Sequence, residues 1–404
     1  MAEGSVLGGA GAEAELLPVA AAAAVGDIAP AIVVSRRIED VAPAWQQFEA
    51  DGVLSPGQSY AFTRLWVATQ RVPEQDQLYI VAELGGVAIA LLPLRRRKVG
   101  GIAVLSWFPG CHVGCNAPLV DPARLARLGP DGRRRLWQRM LAAADADLLH
   151  LPAVPVCEVD GNDIFAELGT TIAGDTLYRA AFGSWEEANS TQRNKSRRKH
   201  DRQQGERLEA LGAVTFEELA PGAEAGAVLE RMFRQRAERF RRLGIADPFV
   251  GDVRRFYDAT VTPDSGLPVR LHVLRLDGAV VAVRYNIVIG DRMFCLISSM
   301  SEDAAIQGGS PGKQCLLRVM QKVFDEGIRV FDMGAGFTDE KRHWCNLQLP
   351  LRQHYLALSM RGAVAGWLHR NWQVQRLRIK TNPTLLRLVK SLRSAAPALA
   401  RGAR

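Results

Sequence analysis

The sequence predicts an α/β (α+β) chain of two successive units, each a mixed, largely antiparallel sheet flanked by helices. Three observations lead there. First, "LPVRLHVLRLDG", "AVVAVRYNIVIGD" and "RMFCLISSMS" are closely spaced β-rich runs. Turn signals close them at Asp277-Gly278, at Gly290-Asp291 and after Met300, which is the pattern of an antiparallel meander. Second, the first half carries the same order of strands and helices in fainter form. Third, 404 residues with 48% hydrophobic and 23% charged side chains can bury more than one core.

In the first unit, residues 31–180, "AIVVSRRIED" reads as a strand, and "VAPAWQQFEADG" and "SYAFTRLWVATQ" as helices. "DQLYIVAELGG", "VAIALLPLRRRKV" and "GIAVLSWFPG" follow as a meander. "GRRRLWQRMLAAADAD" is a helix, and "LLHLPAVP" and "GDTLYRAAFG" are the closing strands. In the second unit, residues 181–362, "GAVTFEELAP" is a strand and "GAVLERMFRQRAERFRRLG" and "FVGDVRRFYDATVT" are helices before the meander. A helix then runs from Pro311 to Glu326 and stops at Gly327. Proline suits a first helical turn, and Leu316, Leu317, Val319, Met320, Val323 and Phe324 recur at helical period. "IRVFDM" is a buried strand, "TDEKRHWCN" a short helix capped by Thr338 or Asp339, and "LRQHYLALSM" the last strand.

The formal charge of +8 favours anionic partners. Between the units, Arg193, Lys195, Arg197, Arg198, Lys199, Arg202 and Arg207 form a basic helical run. A solvated face and one wall of a substrate cleft are both open readings for it. Nucleic acid is not expected, because no aromatics interleave the charges. The six cysteines show no paired spacing, so free thiols in a reducing compartment are expected. Cys111, His112 and Cys115 could ligate a metal only loosely, and no metal is expected. The Ala/Gly-rich residues 1–30 lack a basic leader region and carry Glu13 and Glu15, so they read as a disordered tail and not a secretion signal. No run is apolar and long enough to span a bilayer, and a cytoplasmic protein is expected.

A helix start with free N–H groups suits a pyrophosphate. "GGSPGKQCLL" offers one: Gly309, Ser310, Pro311, Gly312 and Lys313, with glycines for close approach and a lysine for charge. This stretch resembles the acyl-CoA pyrophosphate turn of the GNAT superfamily, whose strand order the second unit also matches. "FDMGAGFTDEKRHW" resembles the D-x-x-x-G-x-x-x-x-K-x-x-W signature of acetyltransferases tied to bacterial cellulose and exopolysaccharide synthesis, through Asp332, Gly336, Lys341 and Trp344. Arg198 to Leu208 approximates a further basic helix of that group. The resemblance implies tandem GNAT-like domains, as in Fem-type proteins, with acetyl-CoA as co-substrate and a saccharide or polysaccharide-precursor acceptor. It implies Asp332 as general base, with Lys341 orienting it or holding an acidic acceptor. It also implies Trp344, Arg197 and Arg198 at the acceptor. One position departs: Glu340 stands where the family has Tyr.

The first unit lacks the Ser-Pro-Gly helix start, so it is expected to have lost cofactor binding and to wall the acceptor cleft. Cys315 and Cys345 lack a neighbouring His and carboxylate, so direct transfer is expected over an acyl-cysteine route. Alternatives are a Fem-type aminoacyltransferase using aminoacyl-tRNA, or a non-catalytic subunit of a polysaccharide synthase. Residues 363–404 form a basic amphipathic tail without an acidic residue. Its first helix is expected to cap the domain. The rest is expected to touch the inner membrane peripherally, near a membrane-bound synthase complex.

Overall fold

The computed structural model describes residues 30–109 and 113–381. The Cys111–His112 pair, the tail over 1–29 and the segment after residue 381 lie outside them. The strands are β1 (Ala31–Ser35), β2 (Gln77–Leu84), β3 (Val87–Val99), β4 (Ile102–Ser106), β5 (Leu119–Val120), β6 (Leu148–Pro155), β7 (Glu158–Val159), β8 (Asn162–Asp163), β9 (Thr170–Ala181), β10 (Val214–Leu219), β11 (Val269–Leu276), β12 (Ala279–Ile289), β13 (Arg292–Met300), β14 (Val330–Ala335) and β15 (Leu347–Ala357).

Both halves contribute to one sheet. Its order is β1-β2-β3-β4-β6-β15-β9-β14-β13-β12-β11-β10, with β5 on β3 and a separate β7-β8 hairpin. Each half repeats the predicted meander: β2-β3-β4 and β11-β12-β13 are antiparallel, and each run then meets a parallel neighbour, β6 or β14. The closing strands are exchanged. β15 from the end of the chain lies beside β6 of the first half, and β9 from the first half lies beside β14 of the second. β15 and β9 pair with each other at the centre.

Period-two alternation sorts the side chains between two faces. In β2, Tyr79 and Val81 face one core while Leu78, Ile80 and Ala82 face another. The first core is common to both halves: Trp45, Phe62 and Trp66 pack with Phe233, Phe256 and Tyr257. Phe62 and Trp66 meet the Phe256 ring edge-on at 4.9 and 4.8 Å. On the opposite face the halves have separate cores. One lies under the helix Gly129–Ala142, the other under the helix Pro311–Asp325.

The helix Met360–Thr381 does cap the sheet. It seats against β4, β6 and β15. Gly362 makes this possible, because a Cβ there would stand 1.6 Å from the Asp147 carbonyl oxygen.

The shared core yields an expectation. Phe256→Ala should cost about 3–5 kcal/mol, and calorimetry should show a single transition that moves down as a whole. Two separate transitions would mean the halves fold independently.

Candidate active site

Parallel pairing of β13 with β14 lasts for three residue pairs, Arg292–Val330 to Phe294–Asp332, and then the strands part. A cavity of about 600 Å³ opens at this fork. Phe294, Cys295 and Leu296 line one side, and Asp332 to Ala335 and Lys341 another. The first half closes it with Val113, Gly114, His150, Pro152, Ala153, Gly174 and Asp175. The C-terminal helix adds Gln373 and Arg376.

The signature residues shape the strand end. Asp332 is buried, and its Oδ2 accepts from Arg179 Nε at 2.7 Å. Its Oδ1 accepts the Gly334 N–H at 2.7 Å, an Asx-type turn. Gly334 and Gly336 have φ of +78° and +83°, so the loop needs glycine. Lys341 donates to the carbonyls of Gly334, Ala335 and Gly336 at 3.1, 2.7 and 2.9 Å, which engages all three ammonium donors. Burial lowers its pKa. The partner of Asp332 is therefore Arg179, not Lys341, and Lys341 clasps the loop instead of standing free for an acidic acceptor. Arg179 also donates to the Leu54 carbonyl at 2.6 Å, tying a first-half loop to the site.

Trp344 does not reach the cavity. It is 3% exposed, stacked on Trp185 at 5.9 Å with the Arg193 guanidinium over its ring at 5.4 Å. It is core and cannot stack on a sugar. Glu340, the departure from the family pattern, lies 3.4 Å from Arg284 on β12. Arg284 is buried, donates to the Gly312 carbonyl at 3.3 Å, and its Nε has no acceptor among the described residues.

At the helix start, Ser310 takes the left-handed conformation, φ +49°, and Pro311 opens the first turn. Gly309 and Gly312 are small for a different reason than ligand approach. A Cβ on Gly309 would meet Leu208 at 2.7 Å, and one on Gly312 would meet Met300 Sδ at 3.0 Å. Lys313 donates to Gln204 at 3.1 Å. Arg197 and Arg198 also stand apart from the cavity at the fork. Their helix, Lys195–Glu209, lies across the start of the Pro311–Asp325 helix, with Gly205 against Gln314. Arg197 is 3.5 Å from Asp201, and Arg198 bonds the Asn189 carbonyl at 3.4 Å. Arg197 lines a smaller cavity of about 340 Å³ with His200 and His343. Burial, then the charges of Arg197 and Arg342, lower the His343 pKa, and Lys313 adds to the effect. A positive patch thus borders the helix start.

The matching fork of the first half is filled from within. Trp107 is buried, and its indole N–H reaches across to the Pro152 carbonyl at 3.1 Å. Asn116 N–H bonds the Ala153 carbonyl at 3.0 Å. The equivalent helix opens on Gly129-Pro130-Asp131, with Asp131 paired to Arg134 at 2.7 Å.

Several cavity residues escaped the sequence reading. His150 bonds Gln353 at 3.3 Å and stacks on Tyr355 at 4.6 Å. Tyr355 bonds both Gln353 and His369, and Gln373 bonds His369. Burial, then the proximity of His369, holds the His150 pKa at about 4, so this wall is uncharged at neutral pH. Asp175 is exposed on the cavity and has no hydrogen bond among the described residues. Only Arg179, a charged residue inside the apolar run "LYRAAF", left a signal in the sequence. The described residues hold no group of side chains suited to a metal ion, and no helix among them is long and apolar enough to cross a membrane.

Residues 195–342 match the family model described as the acetyltransferase (GNAT) domain. No curated protein matches the chain. Among solved structures, the C-terminal (DUF2156) domain of a protein described as a lysylphosphatidylglycerol synthetase, from Agrobacterium fabrum, is similar at 13% identity and a TM-score of 0.51. That match covers 84% of this chain and 97% of the other. FemX is similar at 12% identity and a TM-score of 0.47 over 71% of this chain and 90% of its own. A tandem GNAT protein from the clavulanic acid pathway is similar at 12% identity and a TM-score of 0.39 over 81% and 98%. Residues 195–342 are thus similar to an acetyltransferase (GNAT) domain, and the chain as a whole shares the fold of the Agrobacterium fabrum domain.

The ion pair at the fork gives a sharp expectation. Arg179→Met leaves Asp332 buried without its cation and should cost about 3–5 kcal/mol in urea unfolding. Adding Asp332→Asn should return a large part of that loss. Additive losses in the double variant would show that the two residues do not act as a pair.

Proposed function

We propose that this chain transfers an acetyl group from acetyl-CoA to a hydroxyl of a saccharide or polysaccharide-precursor acceptor. The observation that carries this reading is the fork of β13 and β14, opening onto a cavity that the neutral hydrogen-bonding groups of His150, Gln353 and Gln373 help to line. The fork suits an extended pantetheine arm between diverging strands. The patch of Lys313, Arg197 and Arg342 beside the helix start suits the phosphates. Gln353, Gln373 and neutral His150 can donate to and accept from hydroxyls, which favours a polyol over a strongly charged acceptor.

In the reaction, the acceptor oxygen attacks the thioester carbonyl, the C–S bond breaks, and the hydroxyl proton passes to a carboxylate. Two carboxylates border the cavity. Both oxygens of Asp332 are engaged, by Arg179 and by the Gly334 N–H, which supports a positioning role. Asp175 is unpaired among the described residues and is the better proton acceptor in this reading. The blocked fork of the first half supports one CoA per chain.

Calorimetry should therefore find a single acetyl-CoA site. With a glucose oligosaccharide as acceptor, Asp175→Asn should lower turnover about a hundredfold while acetyl-CoA affinity stays unchanged. Full turnover in Asp175→Asn, with loss in a folded Asp332→Asn, would return the base to Asp332. Transfer from aminoacyl-tRNA with no acetyl-CoA binding would overturn the reading.

A further inference from the structure

The C-terminal helix Met360–Thr381 has two dissimilar sides. Its inner side is small and polar. Gly362 and Gly366 abut Asp147 and Leu148, and His369 and Gln373 join the network behind the cavity. Its rotation is fixed at the first turn. Ser359 Oγ donates to Asp147 Oδ1 at 2.6 Å and accepts the Gly362 N–H at 3.1 Å, while Arg361 lies 3.4 Å from the same carboxylate. The side so held away from the protein carries Met360, Val364, Trp367, Leu368 and Trp372, all exposed. Trp367 is 57% exposed and Trp372 56%. These positions are i, i+4, i+7, i+8 and i+12, one continuous stripe over more than three turns. A surface helix normally turns such a stripe to the core. Here the glycines take the inner side, and the large apolar groups are left in water.

The charge around the stripe identifies what would cover it. Residues 360–404 contain Arg361, Arg370, Arg376, Arg378, Lys380, Arg387, Lys390, Arg393, Arg401 and Arg404, and no Asp or Glu. An apolar stripe rich in Trp within a wholly cationic segment matches the boundary of an anionic bilayer, where indole rings sit at headgroup level and basic side chains meet lipid phosphates. A second copy of this chain is a poorer occupant, since it would bring the same positive charge to the contact. We propose that the outer face of Met360–Thr381 is a docking surface for an anionic lipid membrane. The inner face lines the cavity through Gln373 and Arg376, so docking sets the mouth of the site beside the bilayer. The proposal stands on this helix alone and does not depend on the identity of donor or acceptor.

The test is co-sedimentation of the full chain with vesicles of phosphatidylcholine and phosphatidylglycerol in equal parts, against vesicles of phosphatidylcholine alone. The chain should bind the anionic vesicles, and added salt should weaken binding. Brominated lipid should quench its tryptophan emission. Both rings are more than half exposed, and Trp372 meets His369 and Arg376 of its own helix, so for Trp367→Ala with Trp372→Ala the fold should persist, and the partition coefficient should fall about tenfold or more. Equal partition of wild type and double variant, or no preference for anionic vesicles, would overturn the proposal. So would a wild-type dimer that the double variant abolishes in sedimentation velocity, because the stripe would then belong to a second copy.

Discussion

The buried pair of Arg179 and Asp332 is the constraint around which the centre of the molecule is arranged. The two residues face each other on β9 and β14, strands drawn from different halves of the chain. Both side chains are only 6% exposed, so each charge depends on the other. The remaining donors and acceptors extend the tie: Arg179 reaches the Leu54 carbonyl, and Asp332 bends the backbone at Gly334. Lys341 then closes the loop from the other side by taking three carbonyls in succession. The result is a fixed strand end at the place where β13 and β14 diverge.

Strand exchange brings residues of both halves to one fork. Because β9 and β15 cross between the halves, residues of the first half reach the fork of the second without an interdomain hinge. Gly114 illustrates how close the halves come: a Cβ there would lie 3.4 Å from Gly334 Cα. The first half has the same strand order, but Trp107 and Asn116 occupy its fork. The indole of Trp107 between two strands is one of the features that separate the two copies, the missing Ser-Pro-Gly helix start being another.

Much of this was legible in the sequence, and the reasons for the misses are physical. The meander of β11 to β13 announced itself by Asp277-Gly278 and Gly290-Asp291, because tight turns demand local chemistry. Thr338 was readable as a cap, and its Oγ accepts the Lys341 N–H. The exchange of β9 and β15 was not readable, since strand pairing across nearly two hundred residues leaves no local trace. For the same reason Asp332 was matched with Lys341, nine positions away, when its partner was 153 positions away. Trp344 was open in the sequence between a sugar-stacking and a core position, because a Trp in a motif reads the same in both, and the fold places it in the core. The wall of His150, Gln353 and Gln373 comes from three separate elements and exists only in the fold.

The account's central claim is that the second fork takes the acyl donor while the first cannot. Hydrogen–deuterium exchange with and without CoA tests it most directly. The account predicts slowed exchange in residues 292–300, 308–314 and 330–336, with 102–109 of the first fork unchanged. Protection at the first fork, or at both forks equally, would contradict it.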